Sequence, residues 1–200
     1  MNAASARSLR SPGNATTVGL GLQDLDSEIP EVKYGRAKEL IHLSERSPLQ
    51  LYPAIGSFLD LLNSPNQLLK WTALDIIGNL SKVDTEKQID PYIPRLIGFL
   101  KQGKMITANH AIHALSRIAA NKPEHRNRLL KELLKVERYN YDTAECRNIA
   151  LGQVVLAFAG FEGEIERRKP FRDFLGRVAH NPRNATRKKA LALLKRLDPK

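Results

Sequence analysis

The sequence predicts an all-α fold, a right-handed α–α superhelix of about four helical hairpins closed by a C-terminal capping helix. Three observations predict it. Apolar side chains recur at the spacing of an amphipathic helix from Pro30 onward, and no segment alternates as a strand does. Turns that contain proline or glycine separate these segments. The pattern of one helix also returns about every forty residues, as it does in helical repeat proteins.

We predict nine helices in order along the chain, at 31–46, 49–62, 68–82, 91–102, 104–120, 123–138, 144–159, 164–180 and 184–197. Pro48 separates the first two, and Ser64 with Pro65 predicts the start of the third. Residues 1–29 show no helical or strand period and few large apolar side chains. We therefore expect a disordered N-terminal tail at 1–29 and one α-solenoid domain at 30–200.

The first helices of the hairpins can be aligned on one small residue. This residue is Ala37, Ala73, Ala111, Ala150 and Ala190, at intervals of 36, 38, 39 and 40 residues. Four positions later each helix has a branched aliphatic residue, namely Ile41, Ile77, Leu115, Val154 and Leu194. One hairpin cannot bury its apolar stripe alone, so the repetition predicts units that stack around a shared core.

Residues 64–81, SPNQLLKWTALDIIGNLS, carry this pattern most fully, with a basic residue at Lys70 and a small residue at Gly78. The pattern resembles the first helix of HEAT repeats in the armadillo-type superhelix, and the resemblance covers residues 30–198. It implies an α-solenoid whose second helices line the concave side. It implies no single activity, because such arrays serve as scaffolds, adaptors, transport factors and DNA-binding proteins.

The formal net charge of +11 is concentrated in the C-terminal half of the chain. Residues 1–100 have a net charge of −1, residues 101–160 one of +5 and residues 161–200 one of +7. This asymmetry favours an acidic partner, or else reflects a solvated surface rich in Lys and Arg. The single cysteine, Cys146, excludes an intrachain disulfide and fits a reducing compartment, so we expect a cytoplasmic protein. No apolar run approaches the roughly 20 residues that a membrane span needs.

The candidate binding site is a set of basic residues on the last helices, here named the basic strip. Four of them recur at spacings of 3, 4 and 3 along 123–138 and so lie on one face of that helix. The strip consists of Arg128, Lys131, Lys135, Arg138, Arg168, Arg172, Arg187 and Lys188. On a concave side these residues would suit carboxylates or phosphates. The alternative is an ordinary solvated surface, since Glu132 and Glu137 interleave with the strip.

Three functions remain open at this point. The first is a non-catalytic scaffold or adaptor that binds a protein partner with an acidic surface through its concave side. The second is nucleic-acid binding, in which the same strip contacts phosphates. The third is an enzyme like the helical-repeat DNA glycosylases.

Few residues point to catalysis or to a metal. No nucleophile elbow, phosphate-binding glycine loop or spaced set of metal ligands is present, so we expect no catalytic residue, cofactor or metal. His110 and His113 are three apart but lack further ligands, and we interpret them as unrelated polar residues. We interpret Asp173 as an ion-pair partner and Trp71 as a packing residue between repeats.

Overall fold

A computed structural model describes residues 21–198, which form helices joined by short turns, with no β-strand in this range. The α-helices are α1 (Pro30–Arg46), α2 (Pro48–Leu51), α3 (Ile55–Leu61), α4 (Gln67–Leu80), α5 (Ile93–Phe99), α6 (Met105–Asn121), α7 (Pro123–Leu134), α8 (Ala144–Phe158), α9 (Glu162–Ile165), α10 (Lys169–Val178) and α11 (Asn184–Leu197). Within the same range, 3₁₀ segments lie at Leu22–Asp26, Tyr52–Ala54, Asp90–Tyr92 and Lys135–Arg138.

The helices form two layers. The first-helix layer consists of α1, α4, α6, α8 and α11, and each of these helices packs directly against the next. The second-helix layer consists of α2 with α3, then α5, α7 and α10. The apolar core lies between the two layers and runs through the whole stack. The predicted all-α solenoid is therefore confirmed, with four units and α11 as the final helix. No helix among residues 21–198 is long and apolar enough to cross a bilayer.

The alanine register predicted from the sequence lies at the contacts between units. The alanines at 37, 73, 111, 150 and 190 are all buried. The backbones of α4 and α6 approach closely, because a Cβ built on Gly78 would lie 2.9 Å from the Cα of Ala114. Only a residue without a side chain fits there. The small residues thus set the distance between neighbouring first helices.

The N-cap of α4 lies two residues after the predicted one, and the helix begins at Gln67. Asn66, and not Ser64, is the N-cap, because its side-chain oxygen accepts hydrogen bonds from the backbone amides of Leu68 and Leu69 at 3.0 and 3.3 Å. These two bonds satisfy amides that have no partner inside the helix. Ser64 supports the cap, since its Oγ accepts from the Asn66 amide at 3.1 Å.

The second helices are shorter than predicted. The single helix expected at 49–62 is divided into α2, a 3₁₀ turn at Tyr52–Ala54 and α3. The single helix expected at 164–180 is divided into α9 and α10. Pro53 and Pro170 each lie in the first turn of a new helical segment. Proline has no amide to donate to the preceding turn, so the chain restarts a helix there and does not continue one.

The expected tail boundary is wrong for the part of it that the structure describes. Residues 22–26 form a 3₁₀ helix that packs against α1 and buries Leu22 and Leu25. Arg36 of α1 binds the Asp24 carboxylate, with Nη2 3.0 Å from Oδ2. Two leucines three positions apart are too few to form a recognisable period in the sequence. Residues 1–20 of the predicted tail lie outside the described residues.

One ion pair shows which layer is the inner one. Arg117 on α6 donates from Nη2 to Oε1 of Glu45 on α1 at 3.2 Å, although α4 lies between these helices. Side chains from helices that are not neighbours can meet across a third only where the layer curves toward that face. The second helices of neighbouring units, by contrast, contact one another little. The first-helix layer is therefore concave, and the expectation that second helices line the concave side is wrong for this chain.

Candidate functional site

The structure brings together only part of the basic strip. Lys131, Lys135 and Arg138 line one wall of a cleft of about 500 Å³ on the second-helix layer. Lys169 and Arg177 of α10 line the opposite wall. The cleft also contains the apolar side chains of Leu134 and Pro170 and the carboxylates of Glu137 and Asp173. We name this set of nine residues the basic cleft.

The carboxylates in and beside the basic cleft are already paired. Lys169 Nζ lies 2.7 Å from Asp173 Oδ2, and Arg177 Nη2 lies 2.8 Å from Glu137 Oε1. This confirms Asp173 as an ion-pair partner. At the edge of the cleft, Lys135 donates to Glu132 at 2.7 Å, and this hydrogen bond raises the pKa of the lysine. Within residues 21–198 neither Lys131 nor Arg138 has a carboxylate within 4.0 Å, and both are exposed.

Arg168 and Arg172 are held by neighbouring groups outside the cleft. Arg168 donates to the side-chain oxygen of Asn127 at 2.6 Å, and its guanidinium carbon lies 4.6 Å from the ring centre of Phe171. Arg172 pairs with Asp198 at 2.6 Å. Both guanidinium groups are therefore engaged in contacts within the fold. The strip does not continue past Arg138.

The remaining members of the strip are also apart from the cleft. Arg187 donates to the backbone oxygen of Asn181 at 2.9 Å and to the side chain of Asn184 at 3.1 Å, which ties the turn before α11. Lys188 is exposed on α11, and Arg128 is exposed on α7 beyond the cleft lining. A continuous strip of eight residues does not form.

A second depression, which we name the inner groove, lies on the concave layer between α6 and α8. Its volume is about 400 Å³. It is lined by Asn109, Ile112, His113, Ser116, Arg117, Ala120, Gln153, Leu156, Ala157, Gly160 and Phe161. None of these side chains is a carboxylate. The groove was not predicted from the sequence, because its residues occupy helix positions that have the pattern of an ordinary polar face.

Two features of the inner groove are unusual for a solvated surface. The side-chain oxygen of Asn109 is buried and has no hydrogen-bond partner among the described residues. Leu156 on α8 is 50% exposed, although it lies beside the buried Phe161. The sequence does distinguish Leu156, because it is an apolar residue that lies off the core-facing stripe of α8. The groove therefore has an uncovered apolar side chain, and the unpaired oxygen of Asn109 lies beneath its surface.

The two predicted histidines are not independent of each other. Nδ1 of His110 lies 3.0 Å from both carboxylate oxygens of Asp75 on α4, and Nδ1 of His113 lies 3.6 Å from one of them. Burial opposes ionisation of Asp75, but the hydrogen bond from His110 and the close contact with His113 outweigh it and lower the pKa of the carboxyl. The expectation of unrelated polar residues is thus wrong, because α4 supplies a shared partner.

Trp71 packs between units, as predicted. Its ring stacks on His110 with 5.6 Å between ring centres, and its Nε1 donates to Oγ1 of Thr107 at 2.9 Å. Both contacts join α4 to α6. These two contacts explain Trp71 as a residue that packs one unit against the next.

A buried carboxylate, Asp84, forms a centre of polar contacts between units. It accepts from the hydroxyl of Tyr52 at 2.6 Å, and the ammonium of Lys122 lies 2.9 Å from its other oxygen. Burial opposes ionisation of Asp84, but the bonds from Tyr52, Lys122 and two backbone amides outweigh it and lower the pKa of the carboxyl. Burial, together with the bond to Asp84, raises the pKa of Tyr52 to about 12.

Lys122 also binds Asp90, with Nζ 2.6 Å from Oδ1. Asp90, Glu124 and His125 have ligand-type atoms within 4.8 Å of one another, as a metal site requires. However, the Lys122 ammonium already neutralises Asp90, and His125 Nε2 lies 2.9 Å from the other oxygen of Asp90. This cluster is best explained as an ion-pair network that joins the second and third units.

Comparison with known proteins identifies the fold. No family model and no curated protein sequence matches this chain. Among solved structures, the designed armadillo repeat protein YIII(Dq.V1)4CPAF, in complex with the peptide (KR)4, is 17% identical with a TM-score of 0.61, over 92% of this chain and 82% of that one. The designed armadillo repeat protein YIII(Dq)4CqI is 18% identical with a TM-score of 0.56, over 92% and 85%.

An engineered protein from the Northeast Structural Genomics Consortium is similar as well, at 16% identity and a TM-score of 0.54, over 94% of this chain and 84% of that one. At these identities the likeness establishes the fold and not the activity. The chain has the fold of an armadillo/HEAT-type α-solenoid, and the resemblance drawn from residues 64–81 is confirmed.

Proposed function

We propose that this α-solenoid is a non-catalytic scaffold that binds a protein partner, and that an extended segment of the partner lies in the inner groove. The observation that carries this proposal is the half-exposed Leu156 beside Phe161, in a groove whose lining has no carboxylate. Covering the exposed part of a leucine side chain with a partner is favourable by about 25 cal/mol per Å² of apolar area. The amide side chains of Asn109 and Gln153 also line the groove and can bond to the main chain of an extended segment.

An extended chain fits the groove in two further respects. Its main chain carries unpaired amides and carbonyls, and its alternate side chains point to opposite sides. One side chain can therefore cover Leu156 and Phe161 while the main chain reaches Asn109 and Gln153. One of the similar structures is a complex with the peptide (KR)4, which supports a solenoid of this kind as a peptide-binding scaffold.

Charge plays a minor part at this groove. Arg117 is its one Lys or Arg residue and pairs with Glu45 at 3.2 Å. The expectation of a basic concave surface therefore does not describe the inner groove. A glycosylase-like reaction is also poorly served here, because the nearby carboxylate of Asp75 is bound by two histidines.

Selection from a displayed library of random peptides tests the proposal. We expect the enriched peptides to bind the wild-type chain and to lose about tenfold or more in affinity with Leu156→Gln or with Asn109→Leu. Leu49→Gln is the matched control, since Leu49 is 72% exposed on α2, away from the groove. Peptides that bind all three variants as they bind the wild type would rule out the inner groove as the site.

A further inference from the structure

We propose that the basic cleft is a second binding surface, on the outer layer, and that its occupant is a short acidic peptide segment. This proposal goes beyond the proposed function, because the cleft and the inner groove lie on opposite layers of the solenoid. The two surfaces share no residue. A scaffold with both would hold two segments, of one partner or of two, at the same time.

The charges of the cleft carry the proposal. The cleft is lined by five cationic side chains and two carboxylates, so the lining has a net charge of +3. Both carboxylates are occupied by Lys169 and Arg177 at 2.7 and 2.8 Å. Lys131 and Arg138 retain free donors that face the same space. Hydrogen bonds from such cations to carboxylates are among the stronger polar contacts in proteins.

The apolar part of the lining specifies the class of partner further. Leu134 and Pro170 lie among the cations, and Pro170 is exposed. A peptide with acidic residues on both sides of one apolar residue matches this arrangement, because the apolar side chain covers Leu134 and Pro170 while the carboxylates reach Lys131 and Arg138. Free phosphate would leave the apolar part uncovered.

Duplex nucleic acid matches the cleft less well. Each strand of a duplex has a phosphate charge about every 3.4 Å of the helix axis and needs a row of cations to follow it. Such a row would require the whole strip, but Arg168 is held by Asn127 and Phe171, and Arg172 is held by Asp198. Of the strip residues without an ion pair, Lys131 and Arg138 lie together in the cleft, whereas Arg128 and Lys188 lie apart from it. Local concentration favours a short acidic segment.

Fluorescence anisotropy with a labelled peptide of glutamates around one central leucine tests this proposal. The cleft variant is Lys131→Glu with Arg138→Glu. The control variant is Lys38→Glu with Arg46→Glu, which changes the net charge equally at two exposed sites on α1. None of these four residues forms an ion pair within the described residues, so circular dichroism should show both variants folded.

We expect the cleft variant to weaken binding of the acidic peptide by about tenfold or more and the control variant to weaken it far less. Added salt should weaken binding to the wild-type chain as well. Equal losses in the two variants, or no binding by the wild type at low salt, would overturn the proposal. Stronger binding of a labelled DNA duplex that is lost in the cleft variant would identify a nucleic-acid surface instead. None of these outcomes would affect the test of the inner groove, because that test uses other residues and other peptides.

Discussion

At the residue scale, Gly78 shows how closely the units are packed. Replacing it with alanine would place a Cβ 2.9 Å from the Cα of Ala114, which belongs to the backbone and cannot move aside cheaply. We expect Gly78→Ala to lower the free energy of unfolding by about 1–3 kcal/mol, as overpacking does. Urea denaturation followed by circular dichroism measures this change.

Gly35→Ala is the control for this prediction. Gly35 lies in the interior of α1, and a Cβ there would meet nothing within 4 Å. Alanine should raise stability at that position by about 0.5–1 kcal/mol, because it favours helix more than glycine does. A Gly78→Ala variant as stable as wild type would mean that α4 and α6 are not in backbone contact.

Lys122 is the second residue on which stability depends strongly. Its substitution by methionine keeps most of the side-chain volume but leaves Asp84 buried and without its cation. We expect a loss of about 3–5 kcal/mol in the free energy of unfolding, the usual cost of removing one partner of a buried ion pair. Lys82→Met, at an exposed position without an ion pair, should change stability by less than about 0.5 kcal/mol. Similar losses in the two variants would contradict the role assigned to Lys122.

At the scale of the helices, the N-cap of α4 can be tested directly. Asn66→Ala removes the side chain that accepts from the amides of Leu68 and Leu69. We expect a loss of about 1 kcal/mol in the free energy of unfolding. Asn63→Ala is the control, since Asn63 is exposed in the preceding turn and its side chain makes no hydrogen bond. An unchanged thermal midpoint for Asn66→Ala would show that the cap contributes little.

The helices also show what could be predicted from the sequence. The first helices were predictable because an alanine and an aliphatic residue four positions later recur in each of them, and α11 has the predicted bounds. The bounds of the second helices could not be predicted in the same way, because Pro53 and Pro170 divide these helices into pieces too short to show a period. The N-cap was misplaced because Ser64 and Asn66 are both capping residues and only the fold selects between them.

The candidate site was predictable only in part, for a similar reason. The spacing of Lys131, Lys135 and Arg138 correctly placed them on one face, and the structure adds Lys169 and Arg177 from the next unit. Which of the other arginines are free depends on the position of α10 relative to α7 and α11, and no local pattern encodes that. The inner groove depends on the curvature of the first-helix layer, which results from packing along the entire stack.

At the scale of the whole molecule, stability should depend on pH in the acid range. The carboxyls of Asp75, Asp84 and Asp90 have lowered pKa values, because hydrogen bonds from histidine, lysine and tyrosine outweigh the effect of burial. A group with a lowered pKa in the folded state stabilises that state above its unfolded pKa of about 4, and this contribution is lost as the pH falls through the folded pKa.

We therefore expect the free energy of unfolding to fall steeply below about pH 4. Urea titrations at a series of pH values measure this dependence. Asp84→Asn should be less stable at neutral pH and should lose less stability on acidification than wild type. If the two proteins had parallel pH profiles, Asp84 would not be one of the groups responsible.

The Asp84 contacts also bear on how this chain can be cut into pieces. Tyr52, Asp84 and Lys122 come from the first, second and third units in turn, so a polar tie runs across two of the junctions in the stack. Solenoids usually lose or gain end units with modest penalties, since each unit contacts only its neighbours. In this chain, a fragment that begins after the first unit lacks Tyr52, the phenol that donates to Asp84. A fragment that ends before the third unit lacks Lys122, whose ammonium pairs with Asp84. The first three units thus form the smallest portion in which this acid keeps all of its side-chain donors, and shortened versions of the protein are best designed from the C-terminal end.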